Sequence, residues 1–144
     1  MFGGRRLLIG LTLVPVLSGC VTLTPEQQAQ LERDAAQQIT CTKGEDCEVK
    51  WGRAITWISR NSQWKIQTQN DNMIQTYTSV GSSAASSFLV NKVPLGNGVY
   101  EIGMTSGCDN LLGCIPDATE LKASFNRFVS GAAPPGASGT PSRY

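Results

Sequence analysis

Two pairs of cysteines with identical spacing constrain the fold of this chain more than any other feature. Five residues separate Cys41 from Cys47, and five separate Cys108 from Cys114. Four cysteines allow three disulfide connectivities. In the chain-entropy model each local pair stabilises the fold by roughly 2 kcal/mol and a crosswise bridge by roughly 4 kcal/mol. Proximity along the chain favours the local pairs, which we predict, while the two crosswise connectivities stay open.

The same four thiols could instead hold a metal ion. Structural zinc sites usually have about two to four residues between paired ligands. The spacing here is five residues, and the chain contains no histidine. We therefore predict no metal and no cofactor.

The first nineteen residues have the zones of a secretory signal peptide. Arg5 and Arg6 form a cationic start, and Leu7 to Leu17 is an uncharged apolar run. That run is far shorter than the roughly 20 residues of a membrane-spanning helix. We expect residues 1–19 to be removed on export, towards a compartment in which disulfides form. Ten basic and eleven acidic residues would remain, so charge does not indicate nucleic acid binding.

The end of this segment, Leu17-Ser18-Gly19-Cys20, resembles the lipobox of bacterial lipoprotein precursors. The resemblance implies lipid on the sulfur of Cys20, cleavage before it, and acylation of the new amino terminus with a fatty acid such as palmitate. Two or more acyl chains anchor a protein stably. Val21 is not the Asp that resembles an inner-membrane retention signal, so the outer membrane, facing the periplasm, is favoured. The alternative is an ordinary signal peptide with a chance cysteine.

Residues 20–40 are predicted to form a lipid-anchored leash that is partly helical. Thr24, Pro25 and Gln27 have the pattern of a capping box with Pro at the first helical position. The helix that follows contains only Leu31 and Ile39 as large apolar residues. We therefore predict a solvated spacer that buries little surface.

One α+β domain is predicted over residues 41–130, and it begins with a helix. Asp46 is expected to cap this helix, which runs to about Asn61. Its apolar residues recur at helical spacing in one stripe, formed by Cys47, Trp51, Ala54, Ile55 and Ile58. Trp51 and Trp57 could stack on a ligand, but we prefer the interpretation that they pack in the core.

Four runs rich in β-forming residues follow and predict an antiparallel meander. They are Trp64 to Thr68, Met73 to Thr78, Phe88 to Val93, and Val99 to Thr105. The sequence Gly96-Asn97-Gly98 favours a hairpin turn between the last two.

A second helix is predicted after the sheet, with Asp117 as its N-cap. Its apolar stripe is formed by Leu121, Phe125, Phe128 and Val129. Both apolar stripes are expected to pack against the same face of the sheet. The predicted fold is therefore a two-layer sandwich, a four-stranded antiparallel meander with a helix before and a helix after the sheet, stapled by disulfides. Residues 131–144 contain no large aliphatic residue and are predicted to be disordered.

The sequence gives little support for an enzyme. Without histidine there is no Ser-His-Asp or Cys-His arrangement, and the commonest general base is missing. Glu101 and Asp109 could act as a glycosidase pair only in a cleft, and a domain of this size has little room for one. We predict a protein without catalytic residues.

Asp109-Asn110-Leu111-Leu112, inside the second cysteine pair, is the candidate binding loop. A disulfide would order this loop in advance and so reduce the entropic cost of association. The sequence is compatible with two arrangements. Either the leucines are exposed for a partner, or they fold back onto the core.

The segment from Cys41 to Val129 also resembles small proteobacterial envelope lipoproteins that have no assigned activity. In those proteins a cysteine pair precedes a Trp-bearing helix, and a CDN-type segment with a further cysteine precedes the last helix, as CDNLLGC does here. The resemblance implies no activity. We expect a non-catalytic binding or assembly module with an envelope protein partner and no nucleic acid, and the alternative is an inhibitor of a cell-wall hydrolase.

Overall fold

Residues 23–132 are described by a computed structural model, as three helices and one antiparallel sheet of an α+β fold. Helix α1 spans Pro25–Ala36, α2 spans Glu45–Asn61, and α3 spans Ala118–Ser130. Within these residues no helix has the length and apolar character needed to cross a bilayer. The predicted signal peptide, Cys20 and most of the predicted disordered tail lie outside the described residues.

The sheet has five strands, so the prediction of four is wrong by one. The strands are β1 Thr40–Thr42, β2 Ile66–Gln69, β3 Met73–Thr76, β4 Ser87–Gly96 and β5 Val99–Gly107. Their spatial order is β1-β5-β4-β3-β2, and every pair of neighbours is antiparallel. The last four strands form the predicted meander. The additional strand β1 pairs with the start of β5, where Cys41 lies opposite Tyr100.

Helices α2 and α3 supply the apolar layer that covers one face of the sheet. The core combines side chains of both helices with alternate positions of the strands, among them Ile58, Ile74, Val90, Ile102 and Val129. The ring of Trp57 meets the rings of Phe88 and Phe125 edge to face, with centroids 5.4 Å apart in both pairs. Trp51 is also buried. This confirms the prediction that both tryptophans pack in the core.

The start of α2 differs from the prediction that Asp46 caps this helix. Gly44 is the N-cap, with φ of 105°, a conformation that favours glycine. The carboxylate of Asp46 accepts the N–H of Thr42 at 2.8 Å and pairs with the ammonium group of Lys50 at 3.0 Å. The hydrogen bond from Thr42, followed by the interaction with Lys50, holds the pKa of Asp46 below its ordinary value. Asp46 therefore ties α2 to β1 instead of capping the helix.

Two other predicted helix caps are present. The side chain of Thr24 accepts the N–H of Gln27 at 3.2 Å, and the side chain of Gln27 accepts the N–H of Thr24 at 2.8 Å. At the start of α3, the carboxylate of Asp117 accepts the N–H groups of Thr119 and Glu120 at 2.7 and 2.9 Å. These bonds satisfy N–H groups that a helix start leaves without partners.

Helix α1 packs against α3, so the prediction of a solvated spacer is wrong for this helix. The side-chain amide of Asn126 donates to the backbone carbonyls of Asp34, Ala35 and Gln37, at 2.9, 3.2 and 2.9 Å. The guanidinium group of Arg127 pairs with the carboxylate of Asp34 at 2.8 Å. The sequence does not predict this contact, because polar side chains of α3 make it and a pattern of apolar residues cannot indicate it.

Candidate functional site

Both cysteine pairs form local disulfides. The sulfur atoms of Cys41 and Cys47 are 2.00 Å apart, and those of Cys108 and Cys114 are 2.03 Å apart. This confirms the predicted pairing and excludes both crosswise connectivities. Over residues 23–132 there is no cluster of side chains that could hold a metal ion.

The ring closed by Cys108 and Cys114 follows β5 and presents two leucines to solvent. Leu111 is 105% exposed and Leu112 is 99% exposed. The sequence leaves two arrangements of this loop open. The structure has the one in which the leucines are exposed and do not fold back onto the core. Since burial of apolar surface is the main driving force of association, this pair is a candidate contact surface.

Asp109 and Asn110, the other two residues of the predicted binding loop, hold its backbone in place. The N–H of Asp109 donates to the hydroxyl of Ser79 at 3.2 Å, and its carboxylate accepts the N–H of Ser82 at 3.1 Å. The amide of Asn110 donates to the carbonyl of Ser82 at 2.7 Å, and its side-chain oxygen accepts the N–H of Leu112 at 2.8 Å. Both side chains thus position the leucines.

The small-residue loop between β3 and β4 supports the ring, and the sequence analysis missed this role. It supplies Ser79 and Ser82, and the carbonyl of Ala84 accepts the N–H of Ile115 at 2.9 Å. Val80 in this loop and Ile115 just after the ring are both exposed. Four exposed aliphatic residues are therefore carried by two loops that are bonded to each other, namely Val80, Leu111, Leu112 and Ile115. We call these four residues the apolar tip.

A pocket with a volume of about 530 Å³ lies between α2 and α3. It is lined by the buried Trp57, by Phe128, and by the two cationic side chains of Arg60 and Arg127. Phe128 is 37% exposed, so its predicted place in the buried stripe of α3 is wrong. The buried side of α3 centres on Phe125. The ring of Phe128 therefore lies at the edge of this buried side, where it lines the pocket. We call this cavity the α2–α3 pocket.

Glu101 and Asp109, the carboxylates considered for glycosidase chemistry, are not brought together. Glu101 lies near the start of β5, opposite Val93 and Thr40, whereas Asp109 lies beyond the end of this strand. At about 3.3 Å per residue, the six steps along β5 from Glu101 to Gly107 alone extend over roughly 20 Å. Glycosidases hold their two carboxyl groups about 5 to 10 Å apart.

Comparison of the chain with models of protein families, with curated proteins and with solved structures gives no match. No relative or fold neighbour therefore assigns a role to the apolar tip or to the α2–α3 pocket. What these surfaces can bind follows from their geometry and chemistry.

Proposed function

We propose that this protein is a non-catalytic binding or assembly module, held at a membrane by lipid on Cys20, that contacts a protein partner through the apolar tip. The observation that carries the proposal is the full exposure of Leu111 and Leu112 on an ordered backbone. The disulfide and the hydrogen bonds of Asp109 and Asn110 hold this backbone in one conformation. A loop that is already ordered loses little conformational freedom when it binds.

The free energy gained by burying the two leucines indicates how many groups a partner must contact. Full burial of a leucine side chain is worth about 2 kcal/mol, so the pair supplies about 4 kcal/mol. A complex with a micromolar dissociation constant requires about 8 kcal/mol, in addition to the cost of association. A partner that binds the two leucines must therefore also contact neighbouring groups, and Val80 and Ile115 are the exposed aliphatic residues that the same two loops offer.

The sequence supports the membrane part of the proposal. Leu17-Ser18-Gly19-Cys20 follows a cationic and then an apolar segment, as in lipoprotein precursors. Disulfides persist in oxidising compartments such as the periplasm, which fits the two disulfides of this chain. Val21 after the cysteine favours the outer membrane over the inner membrane.

Metabolic labelling with a fatty-acid probe tests the anchor. We expect the full chain to take up label, and the Cys20→Ser variant to take up none and to keep residues 1–19. A matched control, Cys108→Ser/Cys114→Ser, removes two cysteines elsewhere and should be labelled as strongly as the unmodified chain. Equal labelling of Cys20→Ser and the unmodified chain would refute lipidation of Cys20.

Photo-crosslinking in intact envelopes tests the contact. A crosslinking amino acid at position 112 should give a discrete protein adduct, which Leu111→Ser should weaken. The matched control places the same amino acid at position 95, because Leu95 is also an exposed leucine but lies in the β4–β5 hairpin. The same adducts at both positions, or none at position 112, would contradict a contact through the apolar tip.

A rigid loop with exposed apolar residues could also enter the cleft of an enzyme, which is the alternative proposal of a cell-wall hydrolase inhibitor. Purified protein added to a muramidase distinguishes the two. Loss of muramidase activity that Leu111→Ser/Leu112→Ser restores would select the inhibitor, and unchanged activity would leave the binding or assembly module.

A further inference from the structure

We infer that the partner of the apolar tip is a second copy of this chain, whose α2–α3 pocket receives Leu111 and Leu112. The inference rests on the proposed function, because it takes the apolar tip to be the binding surface and names its partner. The contact joins two different surfaces of two copies and is therefore heterologous. Each copy offers one apolar tip and one pocket.

The pocket has the size and lining that two leucine side chains require. Its volume of about 530 Å³ lies in the range of about 300 to 1,000 Å³ that is common for binding pockets. The rings of Trp57 and Phe128 supply its apolar lining. Phe128 is already 37% exposed, so it can be covered by a partner without any rearrangement of the core.

Charge makes the two surfaces complementary. Residues 107–120, which contain the ring and the start of α3, include Asp109, Asp117 and Glu120 but no lysine or arginine. The pocket is lined by Arg60 and Arg127 and by no acidic residue. Arg127 is partly neutralised by its ion pair within the chain, whereas Arg60 has no such partner among residues 23–132. Acidic residues in the segment that carries the ring, and two arginines that line the pocket, favour one mutual orientation.

The positions of the two surfaces allow this contact only between copies. The ring lies before the first residue of α3, whereas the pocket is lined by the second half of this helix and by the end of α2. A helix of this length extends about 20 Å. Leu111 and Leu112 are fully exposed in the same chain in which the pocket is open, so the chain does not fill its own pocket. Because the tip and the pocket are separate, one copy can use both, and the contact can extend into rings or chains of copies.

The contact is expected to be weak in solution. Four aliphatic residues and one pocket are fewer groups than the roughly 20 to 30 residues a side of a standard interface. We expect a dissociation constant on the order of 10⁻⁴ M. Confinement of the copies at one membrane would raise their effective concentration and favour the assembly.

Sedimentation equilibrium tests the contact without an unknown partner. The chain from residue 20 to residue 144 is used with Cys20→Ser, so that acyl chains do not drive association, over concentrations around the expected value of about 10⁻⁴ M. We expect the weight-average mass to rise with concentration. Leu111→Ser/Leu112→Ser should stay monomeric. Val93→Ser/Leu95→Ser, which alters two half-exposed aliphatic residues elsewhere, should associate as the unmodified protein does.

Mixing of variants tests whether the contact is heterologous. Phe128→Glu places a charge in the pocket. If this variant does not fold, Arg60→Glu is used instead, which reverses a charge of the pocket at an exposed position. Circular dichroism checks the fold of each variant. The pocket variant and the Leu111→Ser/Leu112→Ser variant should each be monomeric alone. A mixture of the two should form dimers and nothing larger, because only one tip and one intact pocket can meet.

Three results would overturn the inference. They are a monomeric protein at all concentrations, association that neither substitution weakens, and a mixture of variants that stays monomeric. A monomeric protein whose position 112 still crosslinks to a different envelope protein would refute self-association but leave the proposed function in place.

Discussion

The disulfide between Cys41 and Cys47 is buried in the core, whereas the disulfide between Cys108 and Cys114 lies at the surface. Cys41 and Cys47 are 2% and 6% exposed and belong to the buried apolar cluster. The first ring, closed by Cys41 and Cys47, connects β1 to the first turn of α2. The second ring follows β5, its cysteines are partly exposed, and its interior residues include two fully exposed leucines.

The difference between the rings shows that cysteine spacing alone does not determine the role of a disulfide. Both rings have the same size, so both remove a similar amount of conformational entropy from the unfolded chain, worth about 2 kcal/mol. The two rings differ in the parts of the protein that they contact. The first ring joins a strand and a helix that share the core, so its sulfur atoms also contribute to packing. The second ring is hydrogen-bonded to another surface loop. It is therefore both ordered and accessible to a partner.

Replacement of the first disulfide should have the largest effect on stability. In Cys41→Ala/Cys47→Ala, the lost ring costs about 2 kcal/mol and the lost buried volume a further 1 to 2 kcal/mol, which gives about 3 to 4 kcal/mol in total. Denaturant-induced unfolding measures this difference in the free energy of unfolding. A loss below about 1 kcal/mol would mean that the first disulfide does not contribute to the packing of the core.

Replacement of the second disulfide should have a smaller effect. In Cys108→Ala/Cys114→Ala we expect a loss of about 2 kcal/mol or less, because the cysteines are partly exposed and the hydrogen bonds from Asp109 and Asn110 remain. The same unfolding measurement applies. A loss as large as that of the first pair would remove the contrast between the two rings.

Replacement of the leucines inside the second ring should leave stability almost unchanged. Leu111→Ser/Leu112→Ser is expected to alter the free energy of unfolding by less than about 0.5 kcal/mol, since neither side chain is buried. Leu121→Ala, at a buried leucine, is the matched control and should cost about 2 to 5 kcal/mol. Comparable losses in the two variants would show that the exposed leucines contribute to the core.

The smallest expected effect concerns the carboxylate of Asp46, inside the first ring. Its pKa is lowered in the folded state by the hydrogen bond from Thr42 and by Lys50, so its contribution to stability is present above the ordinary pKa of about 4 and is lost as the pH falls through the lower folded value. Asp46→Asn should therefore melt at a lower temperature than the unmodified protein at pH 7. The difference should close at a pH well below 4, and a difference that persists there would contradict the assignment.

Local patterns in the sequence predicted those elements that local interactions specify. The apolar stripe of α2, the stripe of α3 apart from Phe128, the Asp117 cap and the Gly96-Asn97-Gly98 turn are all encoded by residues within a few positions of each other. The local disulfides belong to the same class. Strand β1 was missed because three residues contain too little of the alternating pattern of a strand.

The features that the sequence did not predict depend on contacts between distant segments. Asp109 is bonded to Ser82, 27 positions earlier in the chain, and no local pattern indicates this bond. This bond is one of those that hold the loop with Leu111 and Leu112 exposed, so the two arrangements of the loop could not be distinguished from the sequence. The same reason applies to Asn126, which contacts residues about 90 positions away.

The attachment of α1 to α3 determines how far the protein can reach from its anchor. Asn126 and Arg127 hold the end of α1 against α3, so this helix is attached to the rest of the fold. The segment between Cys20 and α1 ends at Pro25. Pro25 is five positions after Cys20, and five residues of fully extended chain span about 17 Å. With lipid on Cys20, the helix would therefore begin within about 17 Å of the lipid surface. The protein would then stay close to the bilayer surface. It would contact only those partners that reach this surface.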